Sequence, residues 1–158
     1  MKKAHLNKGF TLIELLVVIT VLVALAVSVF VALNPAQRLK DARDARRTSD
    51  VDTILTAVHA YIVDNKGSYP SGLSAGMNEA QLGTSASACT VSTGGCSVAT
   101  TACVDLSTPL VKYLKSIPVD PNTGTAEKTL YSIVVDANGL VTVRACGTEG
   151  TTDIYVSR

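Results

Sequence analysis

Little in this chain suggests chemistry. Only two of its 158 residues are histidine, His5 and His59, and no Ser/His/Asp or Cys/His set stands out. Nor is there a phosphate-binding loop or a pair of carboxylates framing a cleft, so an enzymatic role is disfavoured and no cofactor is implied. Net charge is equally scarce. Fourteen Lys+Arg against 13 Asp+Glu leave +1, which gives no support to a general nucleic-acid binder. The four cysteines lack a tight C-x2-C pair: Cys89, Cys96 and Cys103 follow one another with six residues between, and Cys146 lies far downstream. That spacing argues against zinc and for two disulfides in an oxidising compartment. The residues alone leave three pairings open. Cys89–Cys96 with Cys103–Cys146 is favoured, since the first would close a Gly-Gly turn and the second would tie a loop to a sheet.

What the chain does have is a long apolar run. Phe10 to Leu33, FTLIELLVVITVLVALAVSVFVAL, is interrupted only by Thr11, Glu14, Thr20 and Ser28. As a helix it would span ~36 Å, enough to cross a hydrocarbon core of ~30 Å. A basic leader with Lys2, Lys3 and Lys8 precedes it, which places the N-terminus in the cytoplasm and sends the rest outward. Ala24-Leu25-Ala26 supplies the small-residue triplet of a secretory signal peptide, but the run continues apolar beyond it. A plain anchor would suit the length and give Glu14 no purpose. An ionisable group inside a spanning segment costs up to roughly 2.5–3.5 kcal/mol at mid-bilayer, and less near the edge. Glu14 therefore wants a partner.

Gly9-Phe10-Thr11-Leu12-Ile13-Glu14 resembles the cleavage and methylation motif of type IV prepilins and of type II secretion pseudopilins. The resemblance implies cutting between Gly9 and Phe10 by a prepilin peptidase, then methylation of the new Phe10 amine. It also implies that Glu14 meets the Phe10 amine of a neighbouring subunit when the chain polymerises. Losing the leader removes three lysines and no acid, leaving eleven Lys+Arg against thirteen Asp+Glu. His59 is then the one histidine left, and packing at the margin of a helix stripe is the expected role for it. Where pilins often carry a proline within the helix this chain has Val31, and its proline comes a turn later at Pro35.

Asn34-Pro35 ends the apolar run with a bend or break. In the charged stretch from Ala36 to Asp50, Lys40–Asp44, Asp44–Arg47 and Arg46–Asp50 are spaced for helix-surface pairing. The basic excess at Arg38, Lys40, Arg43, Arg46 and Arg47 reads as a solvated face, with lipid headgroups as the second reading. Val51, Ile54, Leu55, Val58, Tyr61 and Ile62 then form one helical stripe, which Gly67 and Tyr69-Pro70 terminate. Ser71 to Thr101, rich in Ser, Thr, Gly and Ala, reads as a long surface loop. Leu106, Leu110, Val111 and Leu114 predict a short helix. Thr129–Val135 and Leu140–Ala145, joined by Asp136-Ala137-Asn138-Gly139, predict a hairpin, and Asp153–Ser157 a third strand.

Tyr113-Leu114-Lys115-Ser116-Ile117-Pro118 followed by Asp120-Pro121 also resembles the head of pseudopilins and small bacterial pilins. Some major pseudopilins bind calcium near their C-terminal sheet, and Asp120, Asn122, Asp136 and Asn138 offer oxygens here, although turn formation explains all four without a metal. The expected fold is α+β: a long N-terminal helix, transmembrane in its first half, packed on a small antiparallel sheet, which the resemblance names the pilin fold. The expected organisation is leader 1–9, transmembrane or filament-core helix 10–33, amphipathic helix 34–66 and globular head 67–158.

By the same resemblance the chain is a structural subunit of a type IV pilus, held in the cytoplasmic membrane before it joins a surface filament. Its partners would be further copies of itself, membrane lipid before assembly, a prepilin peptidase/methyltransferase, an assembly platform and its ATPase. The alternatives are a pseudopilin of a secretion machine and a minor DNA-uptake subunit, the nucleic-acid partner having no support from charge.

Overall fold

A computed structural model describes residues 9–158; the leader positions before Gly9, including His5 and the three lysines, lie outside the described residues. The first helix, α1, runs Leu12–Leu33. Thr11 caps it, and Glu14 at the third helical position closes a capping box that satisfies two of the backbone donors left free at a helix start. The run is apolar enough to sustain the helix in lipid only if its hydroxyls are also satisfied. They are: Thr20 Oγ1 donates to the Val17 carbonyl and Ser28 Oγ to that of Leu25, each at 2.8 Å. No residue of α1 is buried.

Asn34 stops the helix in the left-handed region, at φ 41° and ψ 68°. Asparagine tolerates that conformation better than most residues. Pro35 then opens α2, Pro35–Asp64, at the one helical position where a missing N–H costs nothing. At its far end Gly67, with φ 87°, donates back to the Ile62 carbonyl at 2.8 Å and ends the helix at the expected glycine. The chain divides into two compact units, one ending at Arg38 and one from Leu39 to Arg158.

The second unit holds the core. Val51, Ile54, Leu55 and Val58 are fully buried, and Tyr61 and Ile62 pack at the edge of the same cluster. Facing them is an antiparallel sheet in the order β1-β2-β3-β4, with β1 Ala80–Gln81, β2 Tyr131–Val135, β3 Val141–Ala145 and β4 Ile154–Ser157. Tyr131, Ile133 and Val135 pair in register with Ala145, Val143 and Val141, and all six are buried. Alternation sends these residues to one face, and the α2 stripe covers them. The β2–β3 turn is held by Asp136, whose Oδ1 accepts the N–H groups of Asn138 and Leu140, both at 2.8 Å. Gly139 takes φ 88° there. The arrangement matches the α+β pilin fold.

Two sequence expectations need correction. Leu106–Leu114 forms successive turns rather than a helix. Pro109 has no N–H to give, so only scattered bonds remain, such as Leu110 N–H to Leu106 O and Leu114 N–H to Leu110 O. Leu106 and Leu110 still reach the core, while Val111 is left exposed. The stretch read as a surface loop contains β1, with Ala80, Gln81 and Leu82 buried and Leu82 bridged to Val104. A strand of two residues is too short to display a period.

Candidate functional site

The geometry of the first unit centres on Glu14. Its Oε2 accepts both the Thr11 backbone N–H and the Thr11 hydroxyl, each at 2.8 Å. In return Thr11 Oγ1 accepts the Glu14 N–H at 3.3 Å. Gly9 and Phe10 precede the helix, and Phe10 is 87% exposed. Phe10, Ile13, Val17 and Val18 line a shallow apolar groove with Glu14, because positions three and four apart stack on one helix face. Of Gly9, Phe10 and Glu14, the residues singled out in the cleavage and methylation motif, Phe10 and Glu14 share this groove, and Gly9 lies just before it in the chain. Thr11 was not among them, although a Thr three residues before a Glu, ahead of an apolar run, is the sequence signature of a capping box.

α1 is 22 residues long and exposed on every side. Leu12, Ile13, Leu22, Phe30 and Val31 each leave more than half of their surface open. A helix apolar all round requires lipid or other helices around it. By length and composition this stretch qualifies to cross a membrane.

In the second unit part of the basic stretch of α2 turns inward. Arg47, read as part of a solvated or lipid-facing face, is fully buried. Its guanidinium grips Asp120 with Nε to Oδ2 at 2.6 Å and Nη2 to Oδ1 at 3.1 Å, while Nη1 reaches Asp44 at 2.8 Å and Glu149 at 3.2 Å. Arg43 forms a second fork on Glu149. Asp44 in turn accepts the backbone N–H groups of Glu149 and Gly150. Of the five cations, Arg46 remains outward, 3.8 Å from Asp50, and Arg38 and Lys40 are exposed. The signal was available: Arg47 lies four residues before Val51, in line with the buried stripe.

The charges are tuned accordingly. Hydrogen bonds from Arg43, then from Arg47, outweigh burial and bring the Glu149 carboxyl down to about 2. Burial pushes Asp120 up, but the Arg47 bond and the N–H groups of Asn122 and Thr123 hold it below the ordinary carboxylate value. Burial opposes the Arg47 charge, and Asp120 and Asp44 more than compensate, so its pKa is raised. Burial, then the bond to Asp50, raises that of Tyr131.

Asp120 and Asn122 therefore serve a turn and an ion pair, and Asp136 and Asn138 serve the hairpin turn. Among the described residues no group of three or more His, Cys, Asp or Glu side chains is placed to hold a metal ion. His59 Nε2 lies 3.0 Å from the Arg158 carbonyl.

All four cysteines are bonded, but not in the favoured pairing: the disulfides are Cys89–Cys103 and Cys96–Cys146. The Gly94-Gly95 turn does form, yet it pairs Val91 with Val98 rather than Cys89 with Cys96. Cys89 instead donates its N–H to Thr101, which sets it beside Cys103. Thr93 Oγ1 bonds to the Cys146 carbonyl at 2.7 Å, so the turn delivers Cys96 to the end of β3. A side chain at Gly94 would collide with the carbonyls of Ala145 and Cys146, so the close approach requires glycine.

Residues 5–32 match the family model of the prokaryotic N-terminal methylation motif. This is the prepilin signature of type IV pilins and pseudopilins, and it supports a pilin-like or pseudopilin-like protein. Comparison of the chain with curated proteins and with solved structures finds no match in either.

Proposed function

We propose that the chain is a structural subunit of a type IV pilus, drawn from the cytoplasmic membrane into a helical surface filament. The observation that carries this reading is α1 itself: a 22-residue helix with no buried residue and one charged side chain, Glu14, in its first turn, within the methylation motif. Copies of the helix packed together would bury the apolar surface that lipid covers beforehand, and Glu14 would meet the Phe10 amine of a neighbour.

In this reading residues 1–9 form a leader kept in the cytoplasm until the peptidase cuts after Gly9. Helix 10–33 becomes the filament core, 34–66 links it to the head, and 67–158 faces outward. The assembly platform and ATPase supply the work of extraction. A pseudopilin of a secretion machine is the second reading, since the Tyr113–Pro121 segment, whose Asp120 is paired with Arg47, resembles the heads of pseudopilins as well as those of small pilins.

Electron microscopy of cells with and without the gene separates the two, since long surface filaments belong to the pilus. The decisive variant is Glu14→Leu, expressed without wild-type subunits. Removing one half of a buried charge pair costs roughly 3–5 kcal/mol, mostly for the charge left unpaired. Each incoming subunit meets that cost. Processed monomer should therefore remain in the membrane while filaments vanish; abundant normal filaments would overturn the assembly role of Glu14.

A further inference from the structure

The cations at the start of α2 have two fates. Arg43 and Arg47, one turn apart on one face of the helix, are taken by carboxylates of the head, Glu149 and Asp120. Arg38 and Lys40 lie nearer the start of α2 and are exposed. Between them sits Leu39, with 61% of its surface open. Among the described residues it is the one large apolar side chain so exposed between Asn34 and Ile62. A leucine flanked by two long cations suits an interface. The leucine and the aliphatic stems enter the apolar side, and the charged ends stay with polar groups.

Chain length says which interface lies in reach. α1 ends at Leu33 and has the length and composition to cross a membrane. Arg38 and Lys40 follow that end by five and seven residues. The chain can therefore carry them no more than ~18 and ~25 Å away, whatever the bend at Asn34. The end of a spanning helix sits where hydrocarbon gives way to headgroups, a polar layer ~5–8 Å deep on each side.

We infer that Arg38, Leu39 and Lys40 form a docking surface for anionic lipid headgroups. The two cations bind phosphate groups of the leaflet at which α1 ends, and Leu39 enters between the lipids. Charge complementarity selects this partner, because phosphate is the densest anion at that depth and the nearest carboxylates of the head are engaged with Arg43 and Arg47. The contact seats the start of α2 on the membrane and is given up when the chain leaves the bilayer. The inference rests on α1 being held in a membrane, as the pilus-subunit reading has it, and not on which filament the chain enters.

The test places the full-length chain in lipid nanodiscs, one copy to a disc, with a fluorescent label on Ala42→Cys. The four native cysteines are bonded and do not compete for it. Nitroxide on the headgroups shortens the label's lifetime when the surface is docked, so the two lifetimes give a docked-to-free ratio. In phosphatidylglycerol discs Arg38→Gln and Lys40→Gln should each lower that ratio about fivefold, and both together about twenty-five-fold. In phosphatidylcholine discs, or at about 0.5 M salt, the same changes should have little effect. Leu39→Ser should lower the ratio in both lipids. Arg46→Gln, about 9 Å further along the helix than Lys40, should leave it unchanged.

A ratio indifferent to lipid charge makes the surface a solvated one and overturns the inference. An equal loss in Arg46→Gln overturns it too, since net charge alone then explains the binding. Docking that is absent from single-copy discs and present when two copies share a disc assigns the surface to a second copy instead. A label on Ala24→Cys, with nitroxide on the acyl chains, keeps the reading beneath separate. If that label is quenched while the Ala42 label ignores Arg38 and Lys40, only the docking surface fails. If it is not quenched, α1 is outside the bilayer and the reading beneath fails as well.

Discussion

Arg47 shows how much a single residue can decide. A guanidinium with no exposed surface is held by three carboxylates from three parts of the chain: Asp44 on its own helix, Asp120 in a turn and Glu149 beyond β3. Taking such a charge out of water is costly, and only the forked geometry on Asp120 and the remaining bonds offset it. Arg47→Ala leaves Asp120 buried without its partner, so the head should lose roughly 3–5 kcal/mol of stability. Arg47→Lys should rescue little of it, because an ammonium cannot make the fork. Urea unfolding of the fragment Ala36–Arg158 checks both; an Arg47→Ala midpoint equal to wild type would mean that the network is surface decoration. Acid tests the same cluster. Glu149 falls from an ordinary 4.5 to about 2 in the folded head, and Asp120 is also depressed. Groups with depressed folded values contribute stability that is complete above the unfolded value. That contribution should therefore be full above about pH 4.5 and decline as pH falls toward about 2. Glu149→Gln should flatten the decline in a pH series of unfolding midpoints.

The elements divide into those written in local pattern and those imposed by distant contacts. The apolar run, the Val51–Val58 stripe and the β2–β3 hairpin were legible because each carries its own period or turn residues. Their partners complete them without redirecting them. The turns at Leu106–Leu114 were not, since the helical spacing of Leu106, Leu110 and Leu114 is also met by successive turns that bring all three to the core, and Pro109 breaks the helical bonding between them. The disulfide pairing was illegible for a different reason. A Gly-Gly turn between two cysteines suggests that it joins them, but this turn is spent on docking against Ala145 and Cys146. Loop-closure entropy then distinguishes the two bridges. Cys89–Cys103 closes a separation of 14 and Cys96–Cys146 one of 50. In the chain-entropy account these correspond to about 3 and about 4 kcal/mol. Replacing Cys96 and Cys146 together by alanine should therefore lower the melting temperature of the head more than replacing Cys89 and Cys103. Peptide mapping without reductant should recover the 96–146 link; a Cys89–Cys96 link would overturn the assignment.

For the whole molecule the central question is which end of the apolar helix the cell removes. An export signal and a prepilin segment share a basic start and an apolar middle, and α1 by itself is compatible with both. The rest of the chain is not indifferent to the choice. Cutting after Ala26 would discard Glu14 and most of α1, and release a head whose core is already complete from Val51 onward. Cutting after Gly9 keeps a helix none of whose residues is buried, and such a helix is tolerable only if the membrane and then other subunits take that part. The methylation motif at residues 5–32 favours the second course. Mass spectrometry of the protein from its own membranes should find Phe10 N-terminal and carrying one added methyl group. The fragment from Ala36 should in parallel be soluble without detergent, since the segment requiring lipid is gone and the stripe still has its sheet. A mature terminus at Val27 would make α1 an ordinary export signal, and Glu14 and Thr11 would then have no role in the finished protein.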